Sequence, residues 1–236
     1  MNKEKKSEDK KEFLTEKKLS ILVAIFLGLT TLLVAWSGWI GSLHSGIQAI
    51  NFTKSNNLAA KGNSQYNISA QVYLSDVFSW NTILSLKIDL ENAKENSNYD
   101  EAEKIEAKIQ KVMSGSCSPK LLEYISNANM EETNSPFENE EFANSYFKDA
   151  KELIDESQSV MEEGKTDNLR GDSYRLVSVI YSLVLFLLGL VGIQKDFQTR
   201  KTLFIISVCI LIFGIIYMLT IPMPTGFDIT SFFNHR

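Results

Sequence analysis

The stretch "LSILVAIFLGLTTLLVAWSGWIGSLHSGIQAI", residues 19–50, decides the fold. From Leu19 to Ile40 it holds no Asp, Glu, Lys or Arg. A helix of that length, at about 1.5 Å per residue, spans a hydrocarbon layer about 30 Å thick. A cleaved leader has a shorter apolar core, about 7 to 15 residues. Although Ala35-Trp36-Ser37 loosely matches a small-x-small cleavage site, the helical pattern runs straight through it, so the run reads as an uncleaved signal anchor.

The second half of the stretch is rich in glycine and serine, which a helix does not favour; each glycine costs about 1 kcal/mol against alanine in water. Steps of four and three pick out Ala24, Gly28, Thr31, Ala35, Gly38, Ser42, Ser45 and Ala49, all small. Two neighbouring columns, Ser37-Gly41-Ser45-Ala49 and Gly38-Ser42-Gly46, thicken the same stripe. Within lipid, small residues on one face let two helix backbones approach closely. The alternative is that the glycines mark a break at the membrane surface.

Two further apolar runs, Leu176 to Ile193 and Leu203 to Ile221, also lack charged residues. The chain is therefore expected to be an all-α membrane protein with three transmembrane helices, at 19–40, 174–193 and 202–222. Lysines and arginines flanking the spans set the orientation. Seven lysines lie in residues 1–18, a segment without apolar period that reads as a disordered cytoplasmic tail. Lys195, Arg200 and Lys201 lie in the loop 194–201, two crossings later and so on the same side. Residues 41–173 and the tail 223–236 then lie outside. The 41–173 region carries 22 acidic and 12 basic residues, a formal charge of −10, which disfavours nucleic acid and anionic membrane surfaces as partners.

That outside region reads as helical. Tyr66, Ala70, Tyr73, Val77, Trp80 and Leu84 form an apolar stripe at heptad spacing, so the first helix is expected to continue to about Glu95, where "KENSNYD" ends it. A charged helix follows at Tyr99–Met113, then a turn at "SGSCSPK" and a short helix at "PKLLEYISNA". Asn134-Ser135-Pro136 reads as a turn and helix start. From Glu138 a long return helix is expected, with Ala143, Phe147, Ala150, Ile154, Ser157 and Met161 at heptad spacing. The two stripes can face each other as a long helical hairpin, a coiled-coil stalk with a small cap, between the first and second spans.

The juxtamembrane residues carry a resemblance. Ala35, Trp36, Ser37, Gly38 and Trp39, followed by Gly46, Gln48 and Ala49, resemble the motifs after the first span of a widespread family of uncharacterised bacterial inner-membrane proteins. Asn168, Asp172 and Tyr174 match that family's pattern before its second span. Trp39 stands where tyrosine is usual and Arg175 where an apolar residue is usual. The resemblance implies three spans and a helical outside region in a bacterial cytoplasmic membrane, and no activity. Trp36, Trp39 and Tyr174 suit an interfacial aromatic belt, and Ser37, Asn168 and Asp172 could exchange hydrogen bonds beside it, together forming a juxtamembrane collar.

Catalytic constellations are poorly supplied. The only histidines are His44 and His235, too few for a His-rich metal site. His44 on its Gly/Ser-rich helix reads as a polar interfacial residue. The string "GKT" at Gly164, Lys165 and Thr166 lacks the first glycine of a phosphate loop, since Ser159 stands there. Carboxylate runs such as Glu140-Glu141 are usually a solvated helix face. With no Asp, Glu, Lys, Arg or His inside the three apolar runs, coupled transport is disfavoured. The expectation is a non-enzymatic protein without cofactors: a self-associating scaffold or accessory subunit of an envelope complex. It would be held in the lipid bilayer and form a homo-oligomer, with a further membrane or envelope partner possible. An extracytoplasmic sensor acting through a partner is the alternative, and a passive oligomeric pore a weaker one. Cys117, in the loop, could link two chains, whereas Cys209 lies inside the third span.

Overall fold

The computed structural model of the chain describes residues 15–127 and 135–225. Among these there is no strand. The helices are α1 Glu16–Glu95, α2 Tyr99–Ser116, α3 Pro119–Asn127, α4 Glu140–Ser145, α5 Lys148–Ile193 and α6 Phe197–Thr220, with a 3-10 turn at Pro136–Glu138. Three of them, α1, α5 and α6, contain segments long and apolar enough to cross a membrane. The described residues form two compact units. One gathers α1 as far as Phe52, α5 from Glu162, and α6; the other comprises residues 53–161.

In the first unit α1 and α5 run antiparallel, as do α5 and α6. Its core is Leu19, Val23, Val177, Tyr181, Val184, Leu188, Val191, Phe204 and Leu211. The outward residues are also apolar: Ile25, Leu32, Val179, Phe186, Phe213 and Ile216 are all exposed. A surface apolar on the outside as well as the inside is one that hydrocarbon, rather than water, solvates. The contact itself is made by small side chains. A Cβ added to Gly41 would lie 3.3 Å from the Gly171 carbonyl oxygen, and one added to Gly171 would lie 3.3 Å from that of Gly41. Beside this crossing Ser37 and Ser178 share a hydrogen bond of 2.7 Å. On α6, Gly214 makes room for Tyr181, whose ring an added Cβ would meet at 2.7 Å. Asp196 caps α6 by accepting from the Thr199 side chain and backbone, and these bonds hold its carboxyl below the usual carboxylate range.

In the second unit α1 ends where the sequence predicts, at Glu95. The stop is a Schellman motif: Asn98 N–H donates to the Ala93 carbonyl, Ser97 N–H donates to that of Lys94, and Ser97 takes φ 59°. The Asn98 side chain then caps α2 by accepting from Glu101 N–H. The α2 helix extends three residues past the predicted end and buries Ala102, Ile105 and Ile109 against Trp80, Ile83, Leu121 and Ile125.

Two expectations require correction. The return helix does not begin at Glu138. A 3-10 turn and α4 come first, capped by Ser135 and Asn139, and α5 starts at Lys148. The break falls at Tyr146, where Tyr146 and Phe147 N–H donate to the carbonyls of Ala143 and Asn144, and the Tyr146 side chain is buried with its hydroxyl on Asp76. Of the turn Asn134-Ser135-Pro136, Asn134 lies outside the described residues, as does the end of the "PKLLEYISNA" helix at Ala128. The outgoing stripe is also offset. Trp80 is buried, and Tyr66 and Tyr73 meet Phe147 of the return stripe with ring centroids 5.0 and 5.8 Å apart, but Tyr66 is exposed and Ala70, Val77 and Leu84 are only half-buried. The buried line runs instead through Ser55, Gly62, Ser69, Asp76 and Ile83, a strict seven-residue repeat mostly of small or polar residues. Ser55 and Ser157 show why: each hydroxyl donates to the other's carbonyl, at 2.8 and 2.9 Å, which requires closely apposed backbones.

Candidate functional site

The most chemically distinctive site in the first unit centres on His44. The α1 positions Val23, Thr30, Ser37 and His44 repeat every seven residues and are all buried, so this line carries His44 onto α5. On α5, Asp167, Tyr174, Tyr181 and Leu188 repeat at the same interval and are buried in turn. His44 Nδ1 lies 2.9 Å from Asp167 Oδ1, and its ring stacks on Tyr174 with centroids 5.8 Å apart. His44 Nε2 donates to the Pro222 carbonyl across 3.2 Å. The Tyr174 hydroxyl donates to the neighbouring Ile221 carbonyl at 3.3 Å and lies 3.6 Å from Met223 sulfur. Arg170 approaches Asp167 at 3.8 Å. The segment following α6 is thus fastened to α1 and α5 through two consecutive carbonyls. His44 is fully buried and bonded at both ring nitrogens, unlike the interfacial residue expected from its neighbours.

The small stripe of α1 turns out to be a different face from the one that packs within the chain. Ala24, Gly28, Thr31, Ala35, Gly38, Ser42 and Ala49 are exposed, and Ser45 is half-buried. A Cβ added to Gly28 or Gly46 would meet nothing within 4 Å. The glycines and serines of residues 28–46 therefore divide: Ser37 and Gly41 face inward to α5, and Gly28, Gly38 and Gly46 face outward. A Cβ added to Gly38 would make only ordinary contact with Ser178 Oγ, at 4.0 Å.

The collar residues are placed separately. Trp36 and Trp39 are half-buried and meet edge to face at 5.4 Å, while Tyr174 is fully buried beneath His44 instead of lying in an outer aromatic belt. The hydrogen bonds expected among Ser37, Asn168 and Asp172 go elsewhere. Ser37 pairs with Ser178, and Asp172 pairs with Arg175 at 2.8 Å. Asn168 is half-buried on α5. Arg175 also donates to Ser45 Oγ at 2.8 Å, which gives this charged residue two polar partners beside the second span.

A second buried cluster, in the 53–161 unit, is not apparent from the sequence. Asp76 is fully buried and accepts from Ser118 N–H at 2.7 Å, from the Ser118 hydroxyl, and from the Tyr146 hydroxyl at 2.8 Å. Burial, and next the Asp76 carboxylate, push the Tyr146 phenol well above its ordinary range. Burial and Asp76 likewise raise the Cys117 thiol, which makes that cysteine a poor nucleophile at neutral pH. Lys120 donates to the Ser145 carbonyl at 2.6 Å and sits 5.0 Å from the Tyr146 ring centroid. This arrangement ties α1 to the residue before α3 and to the end of α4. Its one signal in the sequence is the seven-residue spacing of Ser69, Asp76 and Ile83, which a search for apolar residues passes over.

Among the described residues no group of three or more His, Cys, Asp or Glu side chains is placed to hold a metal ion. No protein-family model, curated protein or solved structure matches the chain.

Proposed function

We propose that this chain is an integral protein of the bacterial cytoplasmic membrane that self-associates through the outward small-residue face of α1. It acts as a non-enzymatic scaffold or accessory subunit of an envelope complex. The observation that carries the reading is the division of α1 into two small-residue faces. The chain's own α5 occupies one; the other, through Gly28, Gly38 and Ser42, is exposed. Apolar contact with lipid needs no glycine, since leucine serves better, whereas close approach of a second helix does.

In this reading the N-terminus is cytoplasmic, as the flanking lysines and arginines require, and residues 41–173 are extracytoplasmic. The antiparallel contacts of α1 with α5 in each unit support a helical hairpin stalk, capped by α2, α3 and α4. The resemblance of the juxtamembrane motifs to bacterial inner-membrane proteins supports the compartment.

The test is the mass of the purified chain in mild detergent, with and without the double substitution Gly38→Leu and Ser42→Leu. A defined oligomer that the double variant reduces to a smaller species is expected. An unchanged oligomer, or a monomer in both cases, overturns the reading. Helix content measured by circular dichroism separates loss of association from loss of folding. It should be retained, because both positions are exposed.

A further inference from the structure

The hydrogen bonds of His44 carry an inference that does not depend on self-association. Its ring is fully buried, and both nitrogens face oxygen: Asp167 Oδ1 at 2.9 Å and the Pro222 carbonyl at 3.2 Å. A peptide carbonyl only accepts, so Nε2 carries hydrogen. An ionised carboxylate also only accepts, so Nδ1 carries hydrogen as well. The equivalent arrangement, with the proton on Asp167 and donated to a bare Nδ1, has the same proton count. These protons are assigned from the partners that face the ring. In either form the pair holds one proton more than a neutral imidazole beside an ionised carboxylate.

We propose that His44 and Asp167 form a single-proton site that clasps the segment after α6 onto α1 and α5. The clasp closes with uptake of the proton and opens as pH rises and the proton leaves. Once the proton is lost, the ring has a single N–H, and the carboxylate, as the charged acceptor, takes it. Nε2 then turns a lone pair toward the lone pairs of the Pro222 carbonyl. What still holds the segment is the longer Tyr174 contact to Ile221 and the sulfur contact to Met223.

Among the described residues the charged and titratable surroundings are few. From α5 come Asp167 itself, Arg170 at 3.8 Å from its carboxylate, and the stacked Tyr174. Farther along α5, Arg175 is engaged by Asp172 and by Ser45 of α1. The segment Ile221, Pro222, Met223, Pro224 and Thr225 brings no titratable side chain. The proton count of the His44–Asp167 pair is therefore the variable that decides whether Pro222 is held.

The chain has only two histidines, so the full-length His235→Gln variant, in detergent micelles, isolates the His44 ring for nitrogen-15 NMR. A spin label at Thr225→Cys, with Cys117→Ser and Cys209→Ser, reports the segment. At low pH both ring nitrogens should bear hydrogen, or Nε2 alone with the proton on Asp167. Raising the pH should move the hydrogen of Nε2 to Nδ1, or remove it, and the label should become more mobile over the same interval. Asp167→Asn is the decisive variant, because it removes the carboxylate that draws the ring hydrogen to Nδ1, and its Nδ2–H can donate to Nδ1 while Nε2–H stays on Pro222. Its label should stay immobile across the range, with the pH step abolished. A ring whose Nε2 never carries hydrogen, a label indifferent to the ring's deprotonation, or a pH step that persists in Asp167→Asn would each overturn the clasp.

Discussion

Two buried carboxylates, Asp76 and Asp167, sit in the two units and are satisfied in opposite ways. Asp76 accepts from three neutral donors, two of them on Ser118 and one on Tyr146, none of which changes charge near neutral pH. Asp167 is bonded to an imidazole and lies near a guanidinium. A carboxylate ringed by hydroxyl and amide donors keeps its partners, because each has hydrogen to give at any ordinary pH. A carboxylate facing histidine shares a proton that can leave. The difference separates a structural tie from a conditional one, although both residues are nearly inaccessible and both lie on helix-helix contacts.

The largest test of that contrast is Asp76→Ala. It strands the Ser118 donors and the Tyr146 hydroxyl in the interior, where each lost partner costs about 1 to 3 kcal/mol, so a destabilisation of at least about 3 kcal/mol is expected. Thermal unfolding followed by circular dichroism reads it, and a loss under about 1 kcal/mol would mean that Asp76 is not the tie described. Tyr146→Phe removes one of the three donors and leaves two, so its cost should be smaller, roughly 1 to 2 kcal/mol, and insensitive to pH between 5 and 8.

Alkaline titration sharpens the same point. The folded state holds the Tyr146 phenol protonated above its ordinary range, whereas the unfolded chain ionises near pH 10. The stabilisation is therefore complete below about pH 10 and is lost as pH rises beyond it, because the unfolded chain sheds the proton first. Unfolding midpoints should fall more steeply above pH 10 in the native chain than in Tyr146→Phe, and equal slopes would contradict the assignment. The smallest effect belongs to the other carboxylate. Arg170 is partly exposed and 3.8 Å from Asp167, a distance and setting worth no more than about 1 kcal/mol, so Arg170→Gln should leave stability nearly unchanged.

Much of the architecture is legible in the residues alone. The three apolar segments follow from composition, because about 20 uncharged residues have one comfortable solvent. The end of α1 at Glu95 is marked by "KENSNYD", a run of polar residues without apolar period in which Asn98 caps the next helix. The break at Tyr146 is not marked, because Ala143, Phe147 and Ala150 keep the heptad spacing across it. The buried partner of the tyrosine hydroxyl, Asp76, lies 70 positions away and is visible only in the fold.

The sequence by itself determined that α1 would carry small residues on a stripe and that three segments would prefer hydrocarbon. These are properties of residue type and local period, which need no partner to be read. The tertiary structure alone decided which small face the chain keeps for itself, through Ser37, Gly41 and Gly171, and that His44 meets Asp167 and Pro222. Those residues lie 123 and 178 positions away along the chain. Periodicity assigns a residue to a face of its helix, but which other helix that face meets depends on packing among distant segments. A buried charge acquires its meaning only from the partner that packing supplies.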